Sequence, residues 1–261
     1  MKKVYLTLLF ATISAIHLYS AEITIKGIYQ GENIFVNNPF APTGVGFCVF
    51  EVDVNGMTTT DEIASSAFEI NLGVYNFKLG DDITIDIKYK DGCKPMVLNP
   101  EVIYPKASFQ LLTIDIVNNK IVWTTSNELG KLPYVVEQYK WNKWIKVGII
   151  NGLGGKGTNS YSAPIRLNSG PNKFRIKQTD VQGNKKMTKE IDQNNPIPAI
   201  TFSPIKVEDE IKFSSETMFE IYDEFGAIVF KGFSDKINCS NLKKGKYYLN
   251  YDSKMGEFTK K

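Results

Sequence analysis

Hydrophobic residues recur at every second position along much of the chain after Ala21. Ile23 and Ile25 alternate with Thr24 and Lys26. Ile83, Ile85, Ile87 and Tyr89 alternate with Thr84, Asp86 and Lys88. Cys48, Phe50, Val52 and Val54 fall on one face of a predicted strand, while the other face turns polar at Glu51 and Asp53. A period of two marks β-strands, whose successive side chains point to opposite faces. Turn residues separate these runs: Gly31-Glu32-Asn33, Asn55-Gly56, Gly80-Asp81-Asp82 and Asp91-Gly92. The Asn-Gly and Asp-Gly pairs suit type I′ hairpins, whose two central residues both need positive φ. No stretch of a dozen residues carries a helical period. Short strands between such turns predict an all-β chain of tandem small sandwiches.

Prolines set the divisions. Pro100 and Pro105 interrupt the first group of strands. Asn194-Asn195-Pro196-Ile197-Pro198 reads as an extended linker, because each proline keeps its predecessor out of the helical region. The body then divides into 22–105, 106–195 and 196–261. Ahead of it, residues 1–21 read as a Sec signal peptide. Lys2 and Lys3 precede an apolar run from Val4 to Ile16, and Ser20-Ala21 is a small pair suited to cleavage. That run is shorter than the roughly 20 residues needed to cross a bilayer.

Charge and composition exclude several chemistries. The 261 residues carry a formal charge of +3, and Lys2 and Lys3 account for most of it. A nearly neutral remainder gives no footprint for nucleic acid. The single histidine, His17, lies in the signal segment. Without it the exported chain has no Ser-His-Asp or Cys-His nucleophile and no His-ligated metal. No enzyme activity and no cofactor are expected. Acidic pairs occur at Asp61-Glu62 and Asp81-Asp82. A glycosidase would need two carboxylates facing across a cleft with aromatic platforms, and Asp81-Asp82 after Gly80 could hold calcium, which needs only oxygen ligands. A solvated turn accounts for Asp81-Asp82 more simply, and hydrolase activity is not expected.

Three cysteines remain, Cys48, Cys93 and Cys239. Export permits a Cys48–Cys93 disulfide. Otherwise all three serve as small buried hydrophobes. Cys239 follows Ile237 at strand spacing and reads as core. Gly152-Leu153-Gly154-Gly155-Lys156-Gly157-Thr158 departs from a phosphate loop, which needs Ser or Thr directly after Gly-Lys and then a helix. It reads as a mobile hairpin loop available for contacts. Trp141 and Trp144 flank Asn142-Lys143 near a turn, where a tryptophan can anchor a partner or pack on a sandwich face. Trp141, Trp144, Gly154 and Lys156 form the candidate interaction surface.

Two longer patterns resemble known families. In the middle piece, strand Trp144 is followed by the glycine turn, then Asn159-Ser160-Tyr161-Ser162, then Phe174-Arg175-Ile176-Lys177-Gln178-Thr179-Asp180. This order resembles fibronectin type III or similar immunoglobulin-like domains, which implies a spacer or binding module. The first piece looks loosely like another such sandwich. Near the C-terminus, Ile221-Tyr222-Asp223-Glu224-Phe225-Gly226 is followed by Leu242-Lys243-Lys244-Gly245-Lys246-Tyr247, and the chain closes on Lys260-Lys261. Tyr222, Asp223, Gly226, Leu242, Gly245, Tyr247 and the two lysines resemble the C-terminal sorting domain of type IX secretion cargo in Bacteroidetes. The resemblance implies a final sorting-domain-like β-sandwich and passage across the outer membrane.

These features set two expectations. The first is a non-enzymatic accessory or surface subunit of the type IX secretion or gliding apparatus, with protein partners there. The alternative is secreted cargo, a small adhesin or carbohydrate-binding protein. Outer-membrane components and glycans are further candidate partners. Location is expected at the cell surface or outer membrane, in the periplasm, or in the medium after release.

Overall fold

The computed structural model describes residues 21–261; the signal segment read at 1–21 therefore lies, except for Ala21, outside the described residues, as does His17. The chain forms two compact units. The second comprises Lys78–Asp81 with Tyr104–Lys261, and the first comprises the other described residues up to Ile103.

The first unit contains β1 (Ala21–Ile28), β2 (Ile34–Asn37), β3 (Val49–Val54) and β4 (Met57–Thr58). It continues with β5 (Ala67–Ile70), β6 (Asp82–Tyr89) and β7 (Met96–Val97). Sheet β1-β6-β3-β4 and sheet β5-β2-β7 make up this unit. The alternation read in β6 is the observed one, since Ile83, Ile85 and Ile87 are buried. In β3 the alternation fails at Phe50. A register shift between Val49 and Glu51 inserts one extra residue against β6, so Val49 and Val52 are buried while Phe50 is exposed. Asn55 and Gly56 both have positive φ, as a type I′ turn requires. At Asp91-Gly92 only Gly92 does, and Cys93 N–H donates to the Lys90 carbonyl at 3.2 Å. That turn is therefore of another type. Cys48 and Cys93 are joined as a disulfide against buried Ala41.

The second unit begins with β8 (Gln110–Val117), β9 (Lys120–Ser126), β10 (Tyr134–Lys140) and β11 (Lys143–Ile150). Then come β12 (Asn159–Pro164), β13 (Gly170–Thr179), β14 (Lys185–Met187) and β15 (Ile191–Asn195). Sheet β12-β9-β8 pairs with no strand of sheet β11-β10-β13, which β14 and β15 extend beyond β13. The two share one core of Trp123, Tyr134, Tyr161, Phe174 and Ile176. Burying each large aromatic there contributes about 2–3 kcal/mol. This strand order is the two-sheet plan of an immunoglobulin-like sandwich. Asn194 and Asn195 end β15 and pair with Pro171 and Gly170, so they are strand and not linker.

The same unit ends in β16 (Phe202–Ser203), β17 (Lys206–Val207) and β18 (Glu210–Tyr222). It closes with β19 (Ile228–Asn238), β20 (Gly245–Tyr251) and β21 (Lys254–Lys260). These strands form one sheet around a separate core that includes Ile211, Phe219, Ile221, Leu249 and Phe258. β17 runs parallel to β21, and every other pairing in this sheet is antiparallel. Cys239 is fully buried in this core beside Ile237.

Candidate functional site

Asp252 lies in the tight turn between β20 and β21, with φ of 47°. Aspartate is among the few non-glycine residues that tolerate this region. It is only 1% exposed, so its carboxylate needs partners. One oxygen accepts the Ser169 N–H at 2.8 Å. The other accepts the Ser169 hydroxyl, and the Ile200 N–H at 3.3 Å. The Asp252 N–H donates to Thr217 Oγ1 at 2.9 Å, and its carbonyl accepts the Trp141 indole N–H at 3.0 Å. One turn residue therefore fastens the last β domain, the connector and the middle sandwich together.

A second contact lies nearby. Lys143 Nζ donates to Glu220 Oε2 and to the Tyr222 hydroxyl, both at 2.6 Å. Burial acts to raise the Glu220 pKa, but hydrogen bonds from Lys143 and Tyr222 outweigh it and hold the carboxyl below its ordinary range. Lys143 is shifted upward: burial opposes its charge, and Glu220 and Tyr222 more than compensate. Lys140 behaves differently. It is 6% exposed and packs its ammonium 4.6 Å from the Trp141 ring. Burial pushes its pKa down to about 8, against the opposing pull of Glu220 and Asp252.

Between the two β domains lies a cleft of about 1200 Å³. Lys140, Gln138, Arg166, Ile197, Met218 and Phe233 are among its walls. The Arg166 guanidinium stacks 3.9 Å over the Phe233 ring.

The sequence-selected surface residues separate in the structure. Trp141 is not an exposed anchor: it is 7% exposed and spent on Asp252. The reason is local. The turn is centred on Trp141-Asn142, both at positive φ, and not on Asn142-Lys143. Trp144 lies under the Arg175 guanidinium at 4.0 Å, with Tyr139 against its edge. The glycine loop is tied down. Gly154 N–H donates to Glu128 Oε2 at 2.9 Å, and Gly155 and Glu128 form a β-bridge. The Glu128 carboxylate also accepts from the Tyr161 hydroxyl at 2.8 Å and from Thr125. A Cβ at Gly152 would come within 2.3 Å of the Leu132 carbonyl oxygen, so that position fits only glycine. Lys156 remains exposed at the loop.

The C-terminal motif residues build turns and core. Asp223 Oδ1 accepts the N–H groups of Phe225 and Ala227 at 3.0 and 2.9 Å, with Gly226 at φ 81°. This Asx turn joins β18 to β19. Leu242 packs on the last core, and Gly245 opens β20 at φ 153°. Tyr247 stacks on Phe258. Lys260 ends β21, and Lys261 N–H donates to the Val207 carbonyl at 2.9 Å. Asp81 accepts the Lys78 N–H at 2.7 Å within its own turn. Among the described residues no group of three His, Cys, Asp or Glu is placed to hold a metal, and no helix is long and apolar enough to cross a membrane. Sequence patterns gave no sign of Asp252, Ser169, Glu128 or Lys140.

Residues 196–261 match the family model described as a secretion system C-terminal sorting domain. No curated protein matches the chain in sequence. Among solved structures, a tetra-tandem repeat from the extending region of a large adhesion protein is similar at 10% identity and a TM-score of 0.31, covering 93% of this chain and 75% of that one. The FN1–FN3 domains of chicken CNTN1 are similar at 10% identity and a TM-score of 0.23, covering 91% and 98%. A β-glucuronidase from Ruminococcus gnavus has 12% identity and a TM-score of 0.19 over 76% of this chain and 39% of that one. Scores this low assign no architecture; that rests on the strand pairing above.

Proposed function

We propose that this chain, whose residues 196–261 form a type IX sorting domain, is an exported cargo protein that works by binding and not by catalysis. The sorting-domain match is the observation that carries the reading. A domain that directs passage across the outer membrane marks what is carried. The expectation of an accessory subunit of the secretion or gliding machinery has no comparable support. Two immunoglobulin-like modules ahead of the sorting domain suit a spacer or adhesin role, with partners at the cell surface.

The test is a secretion assay in a Bacteroidetes host with a working type IX system. The full chain is expected at the surface or in the medium, and a chain lacking 196–261 in the periplasm. Surface delivery of the truncated chain, or a full chain held in the periplasm, would overturn the reading.

A further inference from the structure

The cleft between the middle and last β domains is lined by three cationic groups, Arg166, Lys140 and Lys120, that enter no salt bridge among the described residues. Arg166 is exposed, and its guanidinium carbon lies 3.9 Å over the centroid of the Phe233 ring. Among the described residues no hydrogen bond or ion pair engages its N–H groups. A guanidinium is a planar fork of donors, and with those donors unengaged by protein it is suited to a carboxylate. Lys140 lines the same cleft with its ammonium buried and in no ion pair. Lys120 stands at the rim. Of the two acidic residues in the lining, Asp252 is already saturated by Ser169 and Ile200, which leaves Glu216.

Uncharged groups define the rest of the ligand. Asn118, Asn119 and Asn168 present amides that can both donate and accept, as hydroxyl groups require. Ile197, Pro198 and Met218 offer apolar wall between them. The volume of about 1200 Å³ exceeds the roughly 300–1,000 Å³ of a site for one drug-sized molecule. It has room for more than one sugar ring. The mixture of amides and exposed polar rim does not suit an aliphatic chain, which would need a dry pocket.

We infer that this cleft is a binding site for an acidic glycan, a uronate-bearing segment of two or three sugars whose carboxylate is held by Arg166 with Lys140 and Lys120. Recognition rests on fixed cations and amides instead of the exposed tryptophans that the sequence suggested. The buried Lys140 ammonium makes no salt bridge and feels Glu220 and Asp252 only through longer-range attraction, so an anion in the cleft adds a direct partner. The site goes beyond the export reading, and the two fail separately, because binding is measured on purified protein and secretion in cells.

The experiment is calorimetric titration of the purified full chain with a trisaccharide of galacturonic acid at low salt. Saturable binding is expected, weakened about tenfold in Arg166→Gln and less in Lys120→Gln, and weakened again by added salt. Arg166→Lys, which keeps charge without the planar fork, should fall between wild type and Arg166→Gln. Thermal melts must show every variant folded: Lys120→Gln should match wild type, and Arg166→Gln should lose only the small contribution of its Phe233 contact. Absence of binding, equal binding of neutral maltotriose, or unchanged affinity in Arg166→Gln would overturn the inference. So would tighter binding of an acidic tripeptide, which would make the cleft a peptide site.

Discussion

The first and second compact units solve the same problem by different chemistry. Each must hold segments that are distant in sequence without an α-helix among the described residues to brace them. The first uses a covalent bond, Cys48–Cys93, across a sequence separation of 45. The second uses buried carboxylates. Glu128 and Asp252 are each 1% exposed, and each accepts from several donors on separate segments. A disulfide acts largely by restricting the unfolded chain. A buried carboxylate acts only in the folded state, and its worth depends on every donor being in place. The first tie therefore resists local opening, and the second breaks once water reaches the turn.

Breaking the covalent tie should give the largest effect. A Cys48→Ala, Cys93→Ala variant is expected to lose about 4 kcal/mol from the first unit, the loop-closure value for a loop of this length. Denaturant unfolding followed by proteolysis should place the loss before Ile103. An equal loss in the second unit would show that the comparison is wrong.

Breaking the carboxylate tie comes next. Asp252→Gly removes the acceptor while glycine keeps the positive φ at no strain. Three donors, on Ser169 and Ile200, then lose their partner. The expected cost is about 3 kcal/mol, because unsatisfied buried donors cost roughly 1–3 kcal/mol each and water can enter from the cleft. The loss should appear as uncoupling. Calorimetry is expected to show two transitions from the second unit, with new proteolysis between Pro196 and Thr201. A single transition at lower temperature would mean that Asp252 stabilises one domain only.

Much of the strand pattern was legible in the sequence because local alternation decides it. Ile83, Ile85 and Ile87 are buried, and Asn55-Gly56 turns, for reasons carried by a few adjacent residues. Phe50 was misplaced because a bulge depends on the partner strand, which local alternation does not reveal. Trp141 was visible as an unusual residue, but its direction was set by a left-handed turn conformation that favours asparagine over tryptophan. The Asp252 site had no local signal. Tyr251-Asp252-Ser253-Lys254 resembles any polar hairpin turn, and its partners lie 83 and 52 residues away in sequence. Arg166 had no local signal either, since its stack on Phe233 joins two domains.

Lys140 sharpens the comparison with the smallest effect and the opposite sign. It sits beside the Asp252 tie, buried, with its folded pKa depressed to about 8 from 10.5. Below pH 8 the group is charged in both folded and unfolded states, and the full cost of burying that charge is present. Between about 8 and 10.5 the unfolded chain binds the proton more tightly, so this group makes stability rise with pH. Above that window it is neutral in both states and its cost is gone. Tyr161, raised to about 12 by burial, and the buried Cys239 thiol, also raised by burial from 9.0, act in the other direction at alkaline pH, so the Lys140 effect is read as the difference between variant and wild type at each pH. Lys140→Met should stabilise the second unit by about 2 kcal/mol at pH 7, since an apolar side chain of similar length replaces a buried charge that makes no salt bridge. The gain should shrink steadily toward pH 10, as read by urea unfolding at each pH. A gain that does not depend on pH would reflect packing alone. A loss of stability would mean that Lys140 supports the tie through the charges of Glu220 and Asp252.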